Sequence, residues 1–250
     1  MTITSHPDDE TVRVVTKEAE IVPELRKPLV RAVFYRRPAL TKLFTAAGAI
    51  VAERDEKIRS YYADYFNNPF AVRYDFFRKL DLNGDWRQVS KITARFGIKL
   101  SHKTAEAIFA DIKEVRHLHQ KVLRKYAGEP SANRLDFNVV AKGEKGCTPK
   151  MHVDMFDLNA HVSYLTPLQW LAGVPSTEEW KHIADEKVES DAAHLIDRLR
   201  ETQIGDVAFI KGRGAMALDS KLVEHARFAT MPHRSSSKIP DYGQIAVAIF

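Results

Sequence analysis

Cysteine is nearly missing from these 250 residues. Cys147 stands alone, so no internal disulfide can form and a reducing compartment is expected. Long apolar runs are missing as well. The longest, Leu43 to Ala52, is about half of the ~20 residues that cross a bilayer as a helix, and no membrane association is expected. The start of the chain, Met1 to Thr11, carries His6, Asp8, Asp9 and Glu10 without the basic flank and apolar segment of a secretion signal, which points to the cytoplasm. Charge of one sign is not concentrated: 38 Lys+Arg against 33 Asp+Glu leave +5. That excess mildly favours anionic ligands but is far from the clustered basicity of a nucleic-acid binder, so no nucleic-acid partner is expected. Phosphate-loop chemistry lacks its residues too. Gly212-Arg213-Gly214 has no following Lys-Ser/Thr, and no Gly-x-Gly-x-x-Gly follows a strand. No repeat or low-complexity tract is present, and 44% hydrophobic with 28% charged residues excludes disordered and collagen-like chains.

What is present divides near Gly128-Glu129-Pro130-Ser131, a cluster of turn and helix-stopping residues. Residues 1–20 read as a flexible tail, 21–130 as a helical region and 131–250 as a β core with a helical insert near 176–202. The clearest helix follows Ser101: Ile108, Ile112, Val115, Leu118 and Val122 recur at three- and four-residue steps, with Ser101 placed to cap its start and Gly128 its end. Segments Glu24 to Arg37 and Leu40 to Tyr65 also read as helices. Downstream, Leu135, Phe137 and Val139 alternate with polar residues at strand period. Met151 to Tyr164 predicts two more strands, Gly205-Asp206 is a turn entering another, and Gly243 to Phe250 predicts a last strand inside a sheet. The expected class is α+β, with helices buttressing an antiparallel jelly roll or barrel.

Ten histidines are available, and most read as structural or solvated. His117 and His119 lie two apart on a helix and diverge, which makes a poor chelate. His152-Val153-Asp154 differs. On a strand, residues two apart project from one face, so an imidazole and a carboxylate can share one metal ion while Val153 turns away. A third ligand must come from elsewhere in the chain, and His161, His225 and His233 are the candidates. His161 has the wrong parity unless a turn intervenes at Asp157. His233 precedes the last strand, where closure of a jelly roll returns it beside His152; His225 is the alternative.

The order His152-x-Asp154, then Gly205 to Ile210, then His233 and a final strand resembles the Fe(II)/2-oxoglutarate-dependent oxygenases with their double-stranded β-helix. More narrowly, Cys147 to Asp154, Leu158 to Tyr164 with Trp170, Gly205 to Gly212 and His233-Arg234-Ser235 are similar to an uncharacterised bacterial family of unknown function, some of whose members lie near zinc-homeostasis genes. The likeness spans roughly residues 134–250.

The resemblance implies that His152, Asp154 and His233 hold Fe(II) on one face, leaving positions for dioxygen and an oxo-acid. It implies an oxidoreductase acting on a small polar or anionic molecule. These oxygenases usually anchor the far carboxylate of 2-oxoglutarate with an arginine about ten residues beyond the distal histidine. Here that stretch reads Ile239-Pro240-Asp241-Tyr242-Gly243-Gln244, without a cation, so the anchor falls to Arg234, Lys238, Arg134 or Lys211, or 2-oxoglutarate is not used. The alternative class is a non-catalytic zinc-binding β-barrel for metal homeostasis or sensing. A homodimer is left open.

Overall fold

The structure, a computed structural model, describes residues 4–6, 9–37, 50–51, 80–96, 98–128, 134–140, 151–154, 156–184, 195, 197–212, 229–234 and 244–250. The dominant helix, His102–Ala127, sits where the apolar period places it. Ser101 Oγ accepts the backbone N–H of Thr104 at 3.1 Å, and Gly128 ends the helix with φ of 95°, a left-handed geometry that a side chain would oppose. Its stripe of Ile108, Ile112, Val115 and Val122 is buried against a sheet. We number the helices α1 (Ile21–Leu25), α2 (Arg87–Arg95), α3 (His102–Ala127) and α4 (Thr177–Ala184).

The strands are β1 Thr4–His6, β2 Asp9–Val15, β3 Ala32–Tyr35, β4 Ile50–Val51, β5 Ile98–Lys99, β6 Leu135–Val140, β7 Leu158–Ser163, β8 Gln169–Leu171, β9 Leu199–Glu201, β10 Val207–Lys211, β11 His233–Arg234 and β12 Gln244–Ile249. Seven form one sheet in the order β1-β2-β3-β10-β7-β12-β6; β11-β8-β9 form a second, and β4 pairs with β5. Among the described residues, β2–β3 is the one parallel pair. The expected last strand, β12, is inside the sheet, between β7 and β6. Alternation then fixes two faces. Val162, Phe209 and Val247 share a core with α3, whereas Phe34, Ala208 and Ile210 face the small sheet and pack with Trp170. Phe34 and Trp170 meet edge to face, ring centroids 5.6 Å apart. The class is α+β, mostly sheet; no closed barrel forms among the described residues.

Three sequence expectations change. The segment read as a flexible tail supplies β1 and β2, because Val12, Val14 and Val15 have faces to bury and β3 offers a parallel partner. Glu24 to Arg37, read as one helix, is the short α1 followed by β3. Pro28 cannot donate a helical hydrogen bond, and Val33 and Phe34 are buried on opposite faces of a strand. The insert near 176–202 is helical at α4 but ends in β9. Most of Leu40 to Tyr65 lies outside the described residues.

Candidate metal centre

Two backbone hydrogen bonds create the site. His152 N–H donates to the His233 carbonyl and His233 N–H to that of His152, each at 3.0 Å. Such a reciprocal antiparallel bridge puts both side chains on one face, and the imidazole centroids lie 4.5 Å apart. His233 is held in turn by register with Trp170 on β8. Residues 81 positions apart in sequence are thereby fixed side by side. Asp154, two residues on from His152, returns to the same face; its Oδ1 lies 3.7 Å from His152 Nε2 and its Oδ2 3.3 Å from His233 Nε2. One ligand atom from each of the three falls within 4.8 Å of the others.

The intervening Val153 turns the other way, into a separate core with Met151, Leu171, Trp180 and Ile183. That is what the helical insert does locally: α4 packs behind the segment that carries His152 and Asp154. Gly212 matters on the other side. A Cβ there would lie 2.0 Å from the Phe156 carbonyl oxygen and 2.7 Å from that of Asp154, so the segment after His152 lies on the end of β10 only because no side chain intervenes.

His233 carries the strongest chemical signal. Its Nδ1–H donates to the Met231 carbonyl, 3.2 Å away, which leaves Nε2 as a lone pair in the neutral ring. This buried Nε2 has no hydrogen-bond partner among the described residues, yet it faces a carboxylate oxygen at 3.3 Å. Two lone pairs at that distance repel, and a proton or a cation between them removes the conflict. With a proton there, the charge and hydrogen bond of His233, together with the hydrogen bond from His161, outweigh the burial that would raise the Asp154 pKa and hold the carboxyl well below its usual range. An ionised carboxylate and two imidazoles are a donor set that suits iron or zinc.

His161 joins this group. A turn at Phe156 and Asp157 resets the parity, and β7 brings His161 Nε2 to 3.1 Å from Asp154 Oδ2. It lies beyond the mutually close set and contacts the carboxylate instead, holding Oδ2 in place, so a positioning role is the one its geometry allows. Replacing His161 with Ala is expected to weaken divalent-metal binding about 10–100-fold, with recovery in His161→Gln, which restores a donor. Calorimetric titration with Zn(II), beside thermal unfolding of the apo forms, checks this.

The expected carboxylate anchors fare differently. Lys211 has the parity of Phe209 and points to the helix side of the sheet, where its Nζ donates to the Lys27 carbonyl at 3.2 Å and burial pushes its pKa down to about 8. Arg234 follows His233 on β11 and therefore faces away from it, with Nε donating to Gln169 Oε1 at 3.0 Å. Arg134 is on the correct side but forms a two-point ion pair with Asp136, at 3.0 and 2.7 Å. Lys238 and the alternative ligand His225 lie outside the described residues, as do Cys147 and the aromatic-rich stretch Tyr61 to Phe77. Of the helix histidines, His119 is buried and donates Nε2–H to the Leu158 carbonyl at 3.1 Å, a structural role.

No family model matches the chain, and no curated protein matches it. Among solved structures, one match is the crystal structure of EctD from S. alaskensis with 2-oxoglutarate and 5-hydroxyectoine. It is 14% identical, covering 86% of this chain and 75% of that one, with a TM-score of 0.32. That likeness is too slight to carry fold or function across. No described helix is long and apolar enough to cross a membrane.

Proposed function

We propose that the chain is a mononuclear non-haem Fe(II)-dependent oxidoreductase that uses dioxygen on a small polar molecule, built on a double-stranded β-helix core. The observation that carries this reading is the bare His233 nitrogen facing the Asp154 carboxylate, with His152 locked beside both. His152, Asp154 and His233 would hold the ion by one atom each. Iron, when bound, would supply dioxygen activation. The chain's own part is to fix the donors. The Met231 carbonyl sets the tautomer of His233, His161 sets the carboxylate, and the bridge between His152 and His233 sets their spacing. Limited space above these groups, about 30 Å3, restricts water to a few molecules.

2-Oxoglutarate does not fit the described residues, since no cation uncommitted to another group faces the cavity among them. The setting proposed is the cytoplasm, with a small-molecule partner, no nucleic acid or membrane surface, and a homodimer as the assembly to test by light scattering.

His161 favours a second reading. Three imidazoles and one carboxylate within a few ångströms suit a closed zinc site, in which the protein supplies four donors and no position is left for chemistry. Metal-free protein reconstituted anaerobically with Fe(II) and exposed to nitric oxide, a stand-in for dioxygen, separates the two. The proposed enzyme is expected to bind one iron and give the electron paramagnetic resonance signal of a high-spin ferrous nitrosyl. Retention of zinc through chelation, with no nitrosyl signal from the iron form, would replace it with the zinc-binding reading.

A further inference from the structure

The cavity beside the ligands has an unusual floor. Its central strand, β12, presents Gln244, Ala246 and Ala248 to the cavity. Ala248 lies between Asp136 on β6 and His161 on β7, and Ala246 between Asn138 and Ser163. Two methyl groups flanked by longer side chains make a shallow groove running from the metal ligands toward Gln244. Gln244 is 2% exposed, and its Oε1 has no hydrogen-bond partner among the described residues. A buried amide oxygen left alone is costly unless a ligand or water supplies a donor.

The charges around the groove are already spoken for. Asp136 is paired with Arg134, while Arg234 and Lys211 face other sides of their sheets. A carboxylate pushed against Gln244 would meet an amide and a hydroxyl but no unpaired cation among the described residues, and would lose its hydration without compensation.

We infer that Gln244, with Ser163 and Asn138, forms an uncharged subsite beside the metal centre, which binds the neutral hydrogen-bonding end, an amide or a hydroxyl, of a small organic ligand. This rests on the proposed metal centre. The other end of the ligand reaches the ion across Ala246 and Ala248. The small free volume limits the buried end to a group of amide size.

The test is calorimetric titration of the full chain, first with Mn(II) alone and then, in the Mn(II)-loaded form, with 2-oxoglutarate and with its far-end amide, 2-oxoglutaramate. The amide is expected to bind about tenfold more tightly, the equivalent of one hydrogen bond. Ser163→Ala should reduce that advantage and Gln244→Arg should invert it, both with Mn(II) affinity unchanged. The wild-type comparison decides by itself if the buried arginine prevents folding. Equal affinities, tighter binding of 2-oxoglutarate, or no binding of either probe to Mn(II)-loaded protein would overturn the subsite and leave the metal centre standing. Absence of Mn(II) binding would overturn both.

Discussion

Replacing Asp154 with Ala is expected to weaken divalent-metal binding by more than 100-fold, beyond the ~10–100-fold typical of groups that only orient a ligand. The carboxylate is the sole anion of the donor set, and every imidazole in the site turns its Nε2 toward it. Without it, a dication would face two or three neutral nitrogens in a low-dielectric space, with nothing to offset its lost hydration. Asp154→Asn keeps the shape and removes the charge, so it should lose nearly as much; a small loss in Asn with a large one in Ala would mean that shape, not charge, dominates. Affinity should fall as the solution is acidified, because the imidazoles must be neutral to bind a metal. Titration of the metal-free proteins with Zn(II) and Mn(II), with circular dichroism to verify folding, measures these effects.

The largest expected effect on stability lies elsewhere. Arg31 and Asp9 form an ion pair at 2.5 Å with side chains 0% and 2% exposed. Asp9 also accepts from Thr11 N–H at 2.7 Å, Thr11 Oγ1 at 2.6 Å and Gly173 N–H at 2.8 Å, and Arg31 Nε donates to Thr11 Oγ1. This network ties β2 to β3 and to the connection after β8. Asp9→Ala leaves a guanidinium buried without its partner and should cost about 3–5 kcal/mol in denaturant unfolding. The pair also has a pH signature. Burial raises the Asp9 pKa, but Arg31 and the surrounding donors overcome this and lower it. The unfolded chain therefore takes up the proton first as pH falls. The stabilisation is complete above the ordinary carboxyl value of ~3.9 and is lost below it, as pH passes through the folded-state value. Asp9→Asn should therefore lose less stability than the native protein between pH 5 and pH 3.

Much of this was legible in the chain, and the misses have physical causes. The α3 stripe and its Ser101 and Gly128 ends could be read because local periodicity and capping decide them. His152 and Asp154 sharing one face follows from strand geometry alone. Their meeting with His233 depends on a two-residue bridge between distant segments, which only the order of strands hinted at. β2 and β3 escape a reading of the sequence because short strands carry little local signal: Val12 and Val14 need the parallel partner that tertiary structure supplies. Lys211 and Arg234 are basic and near the motifs in sequence, but parity sends each to the wrong face. Simple parity turns His161 away, and the bend at Phe156 and Asp157 reverses that argument. In the sequence, Gln244 shows only a lack of charge. Its burial with an unpartnered oxygen becomes visible when the sheet is assembled.

Anomalous diffraction from crystals soaked with Mn(II) tests the central claim most directly. The expected result is one strong peak about 2.0–2.3 Å from a nitrogen of His152, a nitrogen of His233 and an oxygen of Asp154, absent in Asp154→Ala. A peak elsewhere, or none with those three side chains ordered as described, would contradict it.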